Sequence, residues 1–178
     1  APFLPDTAKW AHTAGRKPAA LVQGWSVTPE GYGDFLCAVF DEWVRQDVGR
    51  VFVQLFDMTL ARWVGRPAAL CVFAPICGKA LVLEHDGRAD ACDHFVYPEY
   101  RVGALGETPL ADLVNGVRQR RFGEDKRDRL PAKCRACAYL PLCGGGCPKE
   151  RFTIAPDGGR ELNYLCAAFE RFFKHTEP

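Results

Sequence analysis

Cys134-Arg-Ala-Cys137-Ala-Tyr-Leu-Pro-Leu-Cys143-Gly144-Gly145-Gly146-Cys147 puts four thiols within fourteen residues of one another. The C-x2-C spacing lets two thiolates approach one centre from a single tight turn. Three successive glycines free the backbone to take positive φ and to come close to a bulky inorganic group. Such a stretch cannot read as an ordinary helix or strand. It is loop built around sulfur.

Working outward, five further cysteines stand at positions 37, 71, 77, 92 and 166, making nine in 178 residues. That density lies below the ~8–10% that marks a small disulfide scaffold. An odd count also rules out complete pairing within the chain. Buried cysteine can act simply as a small hydrophobe, and this suits the isolated Cys37. Eight clustered cysteines beside a triple glycine point to metal instead. Zinc takes four thiolates through paired C-x2-4-C knuckles, whereas iron–sulfur clusters accept more dispersed spacing. Cys71, Cys77 and Cys92 are not arranged as knuckles, which favours iron–sulfur. Eight cysteines make two four-thiolate sites.

Composition narrows the class. Hydrophobic residues are 48% and charged residues 25%, which excludes a disordered chain, a collagen-like repeat and a coiled coil. A net charge of +1 gives no global attraction to nucleic acid or an anionic membrane. No apolar run approaches the ~18–20 residues of a membrane span, and the N-terminus lacks the layout of a signal peptide. The expectation is a cytoplasmic protein with neither nucleic acid nor membrane as partner.

The local patterns give an α+β outline. Residues 1–24 read as loop. Thr28-Pro29 opens a helix with an N-cap hydroxyl and proline at the first position, and Phe35, Leu36, Val39, Phe40, Trp43 and Val44 give it an apolar face before Gly49 stops it. Val51–Phe56 reads as a short buried strand, so that helix and strand form one α/β unit. Gln54 and Asp57 would sit at that strand's end. Met58–Val64 reads as a second short helix. Around His85-Asp86-Gly87 a hairpin is expected, with strands at 79–84 and 88–92, which would bring Cys77 and Cys92 together. Thr108-Pro109 starts a helix with Leu110, Leu113, Val114 and Val117 on one side. The run from Arg118 to Arg135, with eight basic and three acidic residues, reads as a solvated helix end and linker. A closing amphipathic helix carries Leu162, Leu165, Cys166, Phe169, Phe172 and Phe173.

The order Cys71-x5-Cys77-x14-Cys92, then Cys134-x2-Cys137-x5-Cys143-x3-Cys147, then Cys166, resembles the SPASM domain. That domain is a C-terminal extension of radical S-adenosylmethionine enzymes that modify peptides and proteins. Cys92-Asp-His-Phe, Leu142-Cys-Gly-Gly-Gly-Cys-Pro-Lys-Glu-Arg-Phe152 and Leu162-Asn-Tyr-Leu-Cys166 are similar to the anaerobic sulfatase-maturating enzymes, and the likeness runs from about residue 25 to the end. It implies that residues 1–66 are the terminal α/β portion of a partial (β/α)6 barrel and that residues 67–178 are a SPASM domain of hairpin, loops and short helices.

The resemblance further implies two 4Fe–4S clusters, one on Cys71, Cys77, Cys92 and Cys147 and one on Cys134, Cys137, Cys143 and Cys166. Enzymes of that group oxidise a sulfatase cysteine or serine to Cα-formylglycine (3-oxoalanine), and Asp93 matches their catalytic base. The partners implied are a sulfatase polypeptide and an electron donor such as flavodoxin or ferredoxin. His94 and His85 are expected beside the sites or at the surface, since eight thiolates already complete two sites. The C-x3-C-x2-C motif that binds the radical-generating cluster does not occur in this sequence. S-adenosylmethionine and a third 4Fe–4S cluster are therefore expected only in a full-length enzyme, and this stretch alone should be inactive. The alternatives are a stand-alone SPASM module for electron transfer or peptide binding, part of another radical peptide maturase, or a double zinc ribbon.

Overall fold

The computed structural model describes residue 22 and residues 24–178 apart from 157 and 160. The loop expected over residues 1–24 falls almost wholly outside these. Helix α1 (Pro29–Gln46) starts as its sequence requires: Thr28 Oγ1 accepts the Gly31 N–H at 3.1 Å, and Pro29 occupies the first turn. Gly33, Leu36, Cys37, Phe40 and Trp43 form its buried stripe. Phe35, Val39 and Val44, expected on the apolar face, are exposed. Gly49 turns the chain beyond the helix with φ +75°.

The strand expected over Val51–Phe56 is not there. Helix α2 (Gln54–Trp63) begins inside it, and Val53 N–H donates to Asp57 Oδ2 at 3.0 Å. Short apolar runs do not distinguish strand from buried helix, and here a carboxylate one turn along satisfies an N–H that a helix start leaves open. Asp57 therefore serves the helix rather than a strand end, and Gln54 is simply α2's first residue.

The Asp86-Gly87 hairpin forms, with Gly87 at φ +83°. Its strands are shorter than expected, β1 (Val82–Leu83) and β2 (Arg88–Asp90), paired antiparallel with Leu83 opposite Ala89. A third strand, β3 (Arg101–Ala104), adds antiparallel to β2 with Ala89 opposite Gly103. Helices and one small antiparallel sheet make the chain α+β.

After the sheet, α3 (Leu110–Asn115) and α4 (Val117–Asp128) are separated at Gly116. Leu113 is buried, but Leu110 and Val117 of the expected face are exposed. The basic run is no linker: α4 buries Gln119, Phe122, Gly123, Asp125 and Lys126. Two one-turn helices, α5 (Ala132–Arg135) and α6 (Leu140–Cys143), carry two of the cysteines, Cys134 and Cys143. The closing helix α7 spans Cys166–His175. Leu162 lies before it, bridged to Thr153, and Leu165 is its N-cap.

Helix α1 lies on α7. Phe40 meets Phe172 edge-on with ring centres 5.7 Å apart, and Phe73 meets Phe169 at 5.2 Å. With Trp43, Phe56, Leu142 and Phe173 these rings form the main core. A second cluster, Ala91, Phe95, Tyr100 and Phe122, fastens the sheet to α4. Cys143 packs against the first of these cores, and Cys77 and Cys92 against the second.

Candidate metal centre

Cys71, Cys77 and Cys92 line one cavity of about 390 Å³, together with Asp93 and the apolar side chains of Ala68, Ala74 and Ile76. Cys77 precedes β1 and Cys92 follows β2, so the hairpin brings them together as its sequence implied. Cys92 leads into a single 3-10 turn, Asp93–Phe95, which leaves Asp93 and His94 exposed above a buried Phe95. Asp93 Oδ1 accepts from the Cys92 thiol at 3.2 Å and from the His94 N–H at 3.1 Å. The thiol contact holds the Asp93 carboxyl below the usual carboxylate range.

Cys134, Cys137, Cys143 and Cys166 line a second, narrower cleft of about 30 Å³, walled by Lys133, Tyr139, Leu140 and Phe173. Helices α5 and α6 supply Cys134 and Cys143, and Cys166 opens α7. Cys147 goes elsewhere. Gly144, Gly145 and Gly146 all take positive φ, 58°, 76° and 67°, and a side chain at Gly144 would strike the Ala74 carbonyl. Past them, Cys147 Sγ lies 3.5 Å from His94 Nδ1. Its electrostatic neighbours include Cys71, Cys77 and Cys92, while Cys143 senses Cys134, Cys137 and Cys166. Cys37 stands apart in the main core.

Burial pushes the Cys92 and Cys143 thiols up to about 12 and those of Cys77 and Cys166 up to about 11. It also raises Cys134 and Cys147. Such thiols ionise when a bound cation draws off the proton. A single zinc ion sits ~2.3 Å from each sulfur and needs no cavity of the first site's size. Three thiols on a roomy, largely apolar wall fit an iron–sulfur cluster at the first site.

Two buried cations beside the thiols were hidden in the sequence. Lys126 of α4 is fully buried and donates to the carbonyls of Cys71 at 2.6 Å, Val72 at 3.0 Å and Ala74. Burial lowers its ammonium to about 8. Arg151, 2% exposed, donates to the carbonyls of Gly145 at 3.0 Å, Lys126 at 2.6 Å, and Gly144 and Gly146 at 3.3 Å. Helical spacing from Phe122 to Lys126 was the available signal; a basic run on a surface helix concealed it.

Residues 71–138 match the model of the SPASM family, an iron–sulfur cluster-binding domain. Over these residues the chain is similar to SPASM domains. It is 43% identical over 175 residues to the serine-type anaerobic sulfatase-maturating enzyme of Bacteroides thetaiotaomicron, covering 94% of this chain and 42% of that protein. It is 30% identical over 152 residues to the cysteine-type enzyme of Clostridium novyi, covering 84% of this chain and 40% of that one. Its fold is similar to native anSMEcpe with bound AdoMet and Kp18Cys peptide, with a TM-score of 0.73 and 28% identity over 86% of this chain and 42% of that chain. The chain is homologous to the C-terminal part of the anaerobic sulfatase-maturating enzymes. It spans about 42% of the length of the first of these relatives. No helix among the described residues is long and apolar enough to cross a membrane.

Proposed function

We propose that these residues are the auxiliary-cluster part of a radical S-adenosylmethionine sulfatase maturase, which converts a sulfatase cysteine or serine to Cα-formylglycine. Asp93 carries the proposal: its carboxylate lines the same cavity as three thiols and is exposed beside a cluster ligand. Cys71, Cys77, Cys92 and Cys147 would hold one 4Fe–4S cluster, and Cys134, Cys137, Cys143 and Cys166 the other. Bound clusters of this kind supply one-electron acceptor sites.

The oxidation balances simply. In the complete enzyme a hydrogen atom would leave the substrate Cβ for the 5′-deoxyadenosyl radical, the thiol or hydroxyl proton would go to a base, and the remaining electron would pass to an acceptor. Serine would then give the aldehyde directly, whereas cysteine would give a thioaldehyde that water hydrolyses to the aldehyde with loss of hydrogen sulfide. Asp93 takes the proton. Oδ1 accepts the His94 N–H, so Oδ2 is the atom that receives it. Anchoring through Cys92 and the following 3-10 turn fixes the carboxylate on short, buried-backed structure, as a general base requires. Four-cysteine ligation leaves no iron open to substrate, so substrate activation falls to Asp93.

The same reading assigns residues 1–66 to the end of the barrel and 67–178 to the SPASM domain. The exposed Phe35 and Phe52, at 59% and 76%, supply an apolar surface of the kind that further barrel would cover. The test is anaerobic iron and acid-labile sulfide analysis, followed by turnover of a sulfatase peptide by the complete protein. About eight iron per chain is expected from two four-iron clusters. Zinc in their place, without absorbance near ~400 nm, would overturn it.

A further inference from the structure

Among the described residues, Lys126 and Arg151 are cations without an acid of their own. Lys126 is 0% exposed and Arg151 2%. Burying a charge is strongly unfavourable unless an opposite charge accompanies it. Yet among the described residues neither makes an ion pair, and both spend their donors on main-chain carbonyls. Glu161 is the carboxylate that bears most on Arg151, and it is already bound to Arg129.

Thiols are prominent among the groups whose charge bears on the pair. Lys126 has Cys71, Cys77 and Cys147 as electrostatic neighbours; Arg151 has Cys134, Cys143 and Cys147. Arg151 donates to the main-chain carbonyl of Lys126, so the two like charges are held near each other in spite of their repulsion. Each also holds cysteine-bearing backbone. Lys126 grips the turn of Cys71, and Arg151 grips the three glycines between Cys143 and Cys147.

We infer that Lys126 and Arg151 are the shared counterions of two thiolate-ligated clusters, Lys126 serving the first set and Arg151 both. This rests on the proposed function. A 4Fe–4S core of charge 2+ bearing four thiolates is a dianion, and one added electron makes it a trianion. A buried cation beside it favours the reduced form, since net charge and surroundings set the potential of such a cluster. Lys126 and Arg151 are thus positioning residues that make the clusters easier to reduce.

The test uses the complete protein, prepared anaerobically, with each cluster's midpoint followed by electron paramagnetic resonance during titration with dithionite. Lys126→Gln keeps a hydrogen-bond donor without the charge; Lys126→Arg keeps the charge. In Lys126→Gln, reduction of the first cluster is expected to become about tenfold less favourable, 59 mV for one electron, while Lys126→Arg shifts less. Iron lost from Lys126→Gln but retained in Lys126→Arg also supports the counterion role. A shift smaller than tenfold in Lys126→Gln, an equal shift in both variants, or loss of iron from both would overturn it. If the parent protein holds no clusters, the proposed function itself fails. Clusters in the parent with an unshifted variant remove only the counterion role.

Discussion

Cys147 Sγ lies 3.5 Å from His94 Nδ1, 53 positions earlier in the chain, while Cys143, four residues before Cys147, faces the opposite cleft. Three left-handed glycines accomplish that reversal. Cys143→Ala and Cys147→Ala should therefore delete different clusters. Each is expected to lower iron from about eight to about four per chain, and the surviving paramagnetic signals should differ between the two variants. The same surviving signal in both would show that the four-residue step does not cross between sites.

Asp93→Asn preserves the shape of the side chain and removes its capacity to take a proton. General bases contribute ~10²–10⁴-fold, so formylglycine formation by the complete protein should fall at least ~100-fold. Iron content should stay at the parent level, because the carboxylate is not among the proposed ligands. Peptide mass spectrometry alongside iron analysis checks both halves, and parent-level turnover would remove Asp93 from the base role.

The thiol pattern was legible in sequence because cysteine spacing reports chemistry directly. So were the Thr28 cap and the Asp86-Gly87 turn, since each is a local device acting within four residues. What was hidden depends on packing. Val51–Phe56 carries β-prone side chains, but Asp57 closes a helix start onto Val53 and Phe56 enters the aromatic core. Arg101–Ala104 is four residues with an interior glycine, too short to announce a strand that exists by pairing with β2. Lys126 and Arg151 are charged residues that sequence rules place in water; only the tertiary fold supplies the carbonyls that receive them.

Gly33 separates propensity from packing. Replacing glycine by alanine inside a helix ordinarily stabilises it by roughly 0.5–1 kcal/mol. At Gly33 a Cβ would come within 3.2 Å of the Ala168 Cα and the Arg171 Cδ, where α1 rests on α7. Gly33→Ala should instead destabilise by about 1–3 kcal/mol, the usual range for overpacking. Anaerobic thermal or denaturant unfolding reads the sign, and a more stable variant would mean the helix pair yields there at little cost.

Gly123 poses the same conflict beside the metal centre. In α4 its position leaves no room for a Cβ, which would run into the carbonyl of Cys77, and Cys77 N–H donates to the Gly123 carbonyl at 3.4 Å. Gly78 packs against the same point, where its own Cβ would lie 3.3 Å from Gly123 N. A Cβ at Gly123 would therefore push on the backbone that carries the Cys77 thiol. Gly123→Ala should lower iron to about four per chain by loss of the first cluster, with the second cluster's paramagnetic signal unchanged. Gly33→Ala, whose clash lies in the helix pair, should retain both. Full iron in Gly123→Ala would show that the Cys77 backbone can retreat without its thiol leaving the site, and that α4 does not set the position of the first thiol group.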